Sequence, residues 1–179
     1  MPRIPYPKPE TLSQAKSDII ANPPVGRVLN VSRMAMHAPD MFWWPQRELG
    51  MAAVRTQTFE PKLKESIVLR VAYMSNSDYE LHHHKALAEN AGVTEAMFEA
   101  LRVGDFSSFT PRERAVLEFV TEVVRDVSPR EETIAAVREY LPNEQLFELI
   151  FFIGSYMMTA RVAAVSGLEL DEEPVRAWR

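Results

Sequence analysis

Residues 61–94 read PKLKESIVLRVAYMSNSDYELHHHKALAENAGVT, and this stretch decides the fold. Its first half is apolar nearly all round. Leu63, Ile67, Val71 and Met74 share one side of a helix, and Val68, Leu69 and Ala72 share the other, so the segment is expected to be buried. The second half is two-faced. With about 100° of turn per residue and Glu80 at zero, His84, Leu87 and Ala91 fall within about 40°, and His83 lies about 60° away. His82, Lys85 and Glu89 fall opposite and are expected in solvent. Residues 75–77 are few enough to fold the two helices back as an antiparallel pair. Glu65 lies beside Val68, Leu69 and Ala72, a carboxyl directed into apolar surroundings that needs a partner or a raised pKa. In an antiparallel pair Glu65 approaches the Glu80/His84 face. Two carboxyls and an imidazole at close quarters push their proton affinities apart, which is how acid and base roles are assigned.

Other readings of the same residues stand beside this one. Ser77-Asp78-Tyr79-Glu80 is itself a capping box, with Ser77 as N-cap and Glu80 reaching back to its amide. His84 alone reads as a hydrogen-bonded structural histidine and Glu65 alone as half of an ion pair. Glu65, Glu80 and His84 could also ligate a metal. However, there is no H-E-x-x-H pattern, and His37 is the only other histidine, so neither a metal nor a cofactor is expected.

Working outward, the periodicity is helical nearly everywhere, with no convincing run of period two. Helices are expected at about 11–21, 26–37, 40–56, 61–75, 78–91, 94–102, 111–127, 130–140 and 144–167. Thr110-Pro111-Arg112-Glu113 and Ser128-Pro129-Arg130-Glu131 each spell a capped helix start. The chain reads as one all-α domain, with residues 1–24 an arm and first helix and 25–170 the core. Trp43 and Trp44 in MFWWPQRELG (41–50) read first as core or subunit packing and second as the wall of a pocket.

The chain has 179 residues, 46% hydrophobic and 25% charged, with a net charge of −5, ordinary values for a globular protein. No Lys/Arg run suggests a nucleic-acid partner. It has no cysteine, which removes disulfides, thiolate metal sites and thiol nucleophiles and is compatible with the cytoplasm. The Pro-rich opening MPRIPYPKPE does not read as a signal peptide. The apolar run Leu149–Ala160 is too short to span a bilayer, so no membrane partner is expected.

The segment RTQTFEPKLKESIVLRVAYMSNSDYELHHHKALAENAGVTEAMFEAL resembles the core of the carboxymuconolactone decarboxylase / alkylhydroperoxidase D-like superfamily. LFELIFFIGSYMMTARVAAVSGLEL resembles its closing helix and VLNVSRMAMHAPDMF the opening helices of its longer members. The peroxidase branch carries CxxC with a histidine four residues on. Here Ser77 and Glu80 stand at the cysteine positions, His84 at the histidine and Glu65 at the upstream glutamate, so a dithiol peroxidase mechanism is ruled out. The decarboxylase branch carries ELxxH, matched by Glu80, Leu81 and His84. Longer members carry YExxxH, matched by Tyr79, Glu80 and His84. The resemblance implies an alkylhydroperoxidase D-like bundle of helical hairpins that forms a dimer, trimer or hexamer. With it comes an expected lyase-type acid/base activity on a small organic acid or lactone. Glu65, Glu80 and His84 are the catalytic candidates, and Tyr79, His83 and Arg70 are candidates to contact substrate. A non-catalytic, ligand-binding oligomer is the alternative, with metal-dependent or peroxidase-type activity behind it.

Overall fold

The computed structural model describes residues 1–23 and 26–177. After a 3-10 turn at Pro9–Thr11 come α1 (Gln14–Ala21), α2 (Asn30–Ala35), α3 (Asp40–Arg55), α4 (Pro61–Met74), α5 (Asp78–Asn90), α6 (Glu95–Val103), α7 (Pro111–Asp126), α8 (Glu131–Arg138) and α9 (Asn143–Ser166). The all-α expectation holds: the described residues contain no strand.

Helix α4 is the hub. It packs against α5, α6, α7 and α9, and every residue from Glu65 to Ala72 is buried. A helix apolar on all sides can be satisfied only by neighbours on all sides. Burying each Leu, Ile or Val here contributes about 1.5–3 kcal/mol before entropy is counted. The chain reverses sharply after α4. Asn76 takes φ 49°, a left-handed conformation that asparagine tolerates better than most residues. The Ser77 amide donates back to the Ala72 carbonyl at 3.0 Å. This turn makes α4 and α5 the antiparallel pair.

Of the three expected capping boxes, one forms. Thr110 and Glu113 cap α7 reciprocally. At α8 the cap position is taken by Arg130 instead of Ser128. The Arg130 amide donates to Glu122 at 2.9 Å, and the Arg130 guanidinium donates to the same carboxylate at 2.8 Å, so a tertiary ion pair displaces the local cap. Ser77 occupies the N-cap position of α5 but makes no side-chain cap bond. Glu80 is therefore not held as a capping residue.

Helix α9 corrects a sequence expectation. Its 24 residues are long and apolar enough, by length and composition, to cross a bilayer. In this fold one face of it is buried and the other is exposed. It packs on α2, α3, α4, α5, α7 and α8 and buries Leu149, Phe152, Ile153, Tyr156 and Ala160.

Candidate functional site

Helix α5 presents its buried face to α4 on one side and to α9 on the other. His84 Nδ1 lies 2.7 Å from Glu65 Oε2, an interior contact between two helices. Where Glu65 is a carboxylate its oxygen accepts and His84 Nδ1 is the donor of this bond. The Tyr156 ring from α9 meets the His84 ring edge to face, centroids 5.2 Å apart. The imidazole is thus fixed by a hydrogen bond on one flank and an aromatic wall on another.

One turn earlier, Glu80 is 2% exposed. Neither of its carboxyl oxygens has a hydrogen-bond partner among the described residues. Burial pushes this carboxyl from 4.5 up to about 8, and the nearby Ser77 hydroxyl, without reaching hydrogen-bond geometry, offsets only part of that. Glu80 therefore holds its proton to a pH well above the ordinary carboxyl range.

Glu80 and His84 line one cavity of ≈ 200 Å³. Its other walls are mostly apolar: Leu29, Met36, Trp43, Met51 and Val54 from the N-terminal helices, and Tyr156 and Val162 from α9. Glu65 stands behind His84, outside the cavity wall. The structure thus brings together Glu65, Glu80 and His84. It also gives Trp43, buried against Trp44 at 4.6 Å between centroids, a place in the pocket wall.

Tyr79 and His83 line the cavity too, but their polar atoms are committed to a second network. The Val175 amide donates to His83 Nδ1 at 3.1 Å, so Nε2 carries the proton and donates to Asp171 Oδ2 at 3.1 Å. Tyr79 donates its hydroxyl proton to the same Asp171 oxygen and accepts from the Val31 amide. The Asn30 amide donates to Asp171 Oδ1 at 3.1 Å. These bonds hold the Asp171 carboxyl below its ordinary value against the burial that opposes them. Burial lowers His83. The network pins the tail after α9 across α5 and the start of α2.

Arg70 is not brought to the cavity. Its guanidinium donates to the Leu101 carbonyl at 2.8 Å and to Thr121 Oγ1 at 2.9 Å, closing the C-terminal end of α6. Arg161 is exposed and donates to a carbonyl one turn back. His82, expected in solvent, is half-buried with its ring edge to face on His83 at 5.0 Å. Among the described residues no three His, Asp or Glu side chains converge as a metal-holding group.

Four contributors were missed in the sequence. Ser155, Tyr156 and Thr159 share one face of the otherwise apolar α9 and all line the cavity, so polar residues at this spacing in an apolar helix were a usable signal. Asp171 offered none, since its partner Tyr79 lies 92 residues away.

The model of the carboxymuconolactone decarboxylase family matches residues 39–122, a span containing Glu65, Glu80 and His84. Over 99% of this chain and 98% of the other, the fold is similar to an alkylhydroperoxidase AhpD core, an uncharacterized peroxidase-related protein from Ralstonia eutropha JMP134, at 20% identity and a TM-score of 0.78. A peroxidase-related protein from Silicibacter sp. TM1040 aligns over 96% of this chain and 92% of its own, at 17% identity and a TM-score of 0.77. The debrominase Bmp8 aligns over 83% of this chain and 80% of its own, at 17% identity and a TM-score of 0.69. No curated protein matches the chain. The family match spans residues 39–122, and along nearly its whole length the chain has the alkylhydroperoxidase D-like fold.

Proposed function

We propose that the protein is a cofactor-free acid/base catalyst acting on a small organic compound, with Glu80 and His84 touching substrate and Glu65 orienting His84. One observation carries this reading. A buried carboxyl with no hydrogen-bond partner among the described residues sits one turn from a carboxyl-held imidazole, and both line the same cavity. A fold gains nothing from an unpaired interior acid, so the group is kept for a partner that arrives from outside. In the reaction the neutral Glu80 donates its proton to a substrate carbonyl oxygen as His84 takes one from the adjacent carbon. The C–H electron pair becomes the C=C bond of an enol, and the carbonyl π pair becomes the new O–H bond. In a β,γ-unsaturated substrate His84 returns its proton to the γ carbon and the enol O–H returns one to Glu80, completing an isomerisation; where a carboxylate on the α carbon leaves as CO₂, its C–C electron pair takes the place of the C–H pair and the step is a decarboxylation. The debrominase of similar fold, as a cysteine-to-alanine variant, forms a complex with 2,3,4-tribromopyrrole, which supports a small-molecule role for a protein of this fold.

The test is carbonyl α-proton exchange in D₂O, followed by NMR over a panel of lactones, ketones and carboxylic acids. Exchange above background should fall by about 10²–10⁴-fold in His84→Ala, with the helical circular dichroism unchanged. Exchange that survives the substitution overturns the assignment. The same reading includes a cytoplasmic homo-oligomer. Its support is an exposed apolar stripe on α9, Phe147, Ile150, Phe151 and Val165; Met41 and Phe42 of α3 are exposed as well. Analytical ultracentrifugation should show Phe151→Glu shifting the protein to smaller species, and an unchanged mass refutes this surface as the contact.

A further inference from the structure

Building on that reading, we infer that Tyr156 is a further catalytic residue, a hydrogen-bond donor to the substrate oxygen that Glu80 protonates. Tyr156 stands on α9 across from the His84 ring and lines the same cavity as Glu80 and His84. It is 9% exposed, and its hydroxyl makes no hydrogen bond to any described residue. A buried tyrosine ordinarily finds a partner for its O–H, so the cavity wall holds a second unsatisfied polar group beside the Glu80 carboxyl. The other hydroxyls nearby are spent differently. Thr159 donates to the Ser155 carbonyl at 3.0 Å, and Tyr79 donates to Asp171. The Tyr156 ring is fixed on two sides. It meets His84 edge to face and lies 5.0 Å from Phe152 between centroids. A donor held in place by packing needs no reorganisation when charge develops on a neighbouring oxygen. A carbonyl oxygen carries two lone pairs. The Glu80 proton takes one, and the second is left for another donor. Burial, with the Glu65 and Glu80 carboxyls nearby, pushes the Tyr156 phenol well above its ordinary range, so it donates a hydrogen bond and keeps its proton. Glu80 thus gives up a proton, while Tyr156 steadies the charge that builds on the oxygen as His84 takes the proton from carbon.

The experiment uses 4-nitrophenolate, an aromatic oxyanion that stands in for the charged oxygen and is read by its visible absorbance, with 4-nitrotoluene as the uncharged control. Both are titrated into the wild type and into Tyr156→Phe at about pH 6, where Glu80 holds its proton. The substitution keeps the ring that packs on His84 and removes one unpaired hydroxyl, so the thermal midpoint should not fall. Phenolate binding should weaken about 10- to 100-fold, the worth of a hydrogen bond to a charged acceptor, while 4-nitrotoluene binding stays within about twofold. Arg27 and Arg47, in the N-terminal wall of the cavity, attract the anion in both proteins, so the ratio isolates Tyr156. In the proton-exchange assay kcat should fall about 10²–10³-fold with KM within about threefold. Phenolate binding unchanged in the variant, both ligands weakened alike, a lowered midpoint, or a wild type that favours 4-nitrotoluene or binds neither ligand would each overturn the inference. Its failure is separable from that of the catalytic reading. Exchange that depends on His84 and survives Tyr156→Phe at the wild-type rate removes only the role of Tyr156. Tyr156-dependent phenolate binding without exchange on any compound of the panel supports the donor and removes only the catalysis.

Discussion

Replacing Glu80 by glutamine should make the protein's stability less dependent on pH, by an amount set by the burial of one carboxyl. In the unfolded chain this group titrates at its ordinary 4.5; in the fold burial holds it up to about 8. Between those values the unfolded chain has lost the proton and the folded chain keeps it. The folded state therefore binds more protons, and stability falls as pH rises. The contribution is complete below about pH 4.5 and is lost by about pH 8. At 1.36 kcal/mol per unit, this one side chain removes roughly 3–6 kcal/mol across the window. Glutamine fills almost the same volume and does not titrate. Its buried amide carries its own cost of about 1–3 kcal/mol, but that cost is the same at every pH. The quantity to compare is thus how the difference between variant and wild type changes with pH. Urea denaturation of both proteins at about pH 5 and pH 8 measures it. The variant should gain roughly 3–4 kcal/mol relative to the wild type between the two. A difference that stays within about 1 kcal/mol would mean that Glu80 is hydrated or paired and ionises normally, and the general-acid role would fall with it.

Asp171→Asn should loosen the C-terminal tail, since the network around Tyr79, His83 and the Asn30 amide is built on a charged acceptor. The loss should be about 2–4 kcal/mol, read as faster amide exchange in residues 168–177. In the wild type Asp171 titrates below its ordinary 3.8, so its contribution is present above about pH 4 and is lost as the pH falls further. Gly104→Ala should cost about 1–3 kcal/mol in chemical denaturation: Gly104 sits at φ 84°, and an added Cβ would lie 2.8 Å from the Arg70 guanidinium. Val127→Gly should raise the thermal midpoint. Val127 is 85% exposed and held at φ 69°, a conformation that costs a β-branched residue more than glycine loses in chain entropy. An unchanged or lowered midpoint would refute strain there.

The helices were legible because their signals are local. The all-round apolar pattern of α4, the two-faced pattern of α5 and the Thr110/Glu113 box each lie within a few turns of chain, where spacing alone fixes which residues share a face. The Glu65–His84 contact was legible for a related reason: a short turn between two helices leaves an antiparallel pair as the compact arrangement. The sequence also determined, without any structure, that thiol chemistry is absent, because no cysteine exists to perform it.

Only the tertiary structure decided which way the Glu80 carboxyl turns. The same four residues, Ser77 to Glu80, spell a capping box, and local chemistry cannot separate a carboxyl that turns back to its helix from one buried under α9. Packing turned it inward, and the unpartnered oxygens followed. Tertiary contacts likewise took Arg70 out of the candidate list by giving it the carbonyls at the end of α6. They put Trp43 and Tyr156 into the cavity wall and joined His83 and Tyr79 to Asp171. Each of these depends on which helices meet at a distance in sequence. That is fixed by the collective burial of many apolar side chains and by no single motif, so the identity of the helices was local information and the chemistry of the site was not.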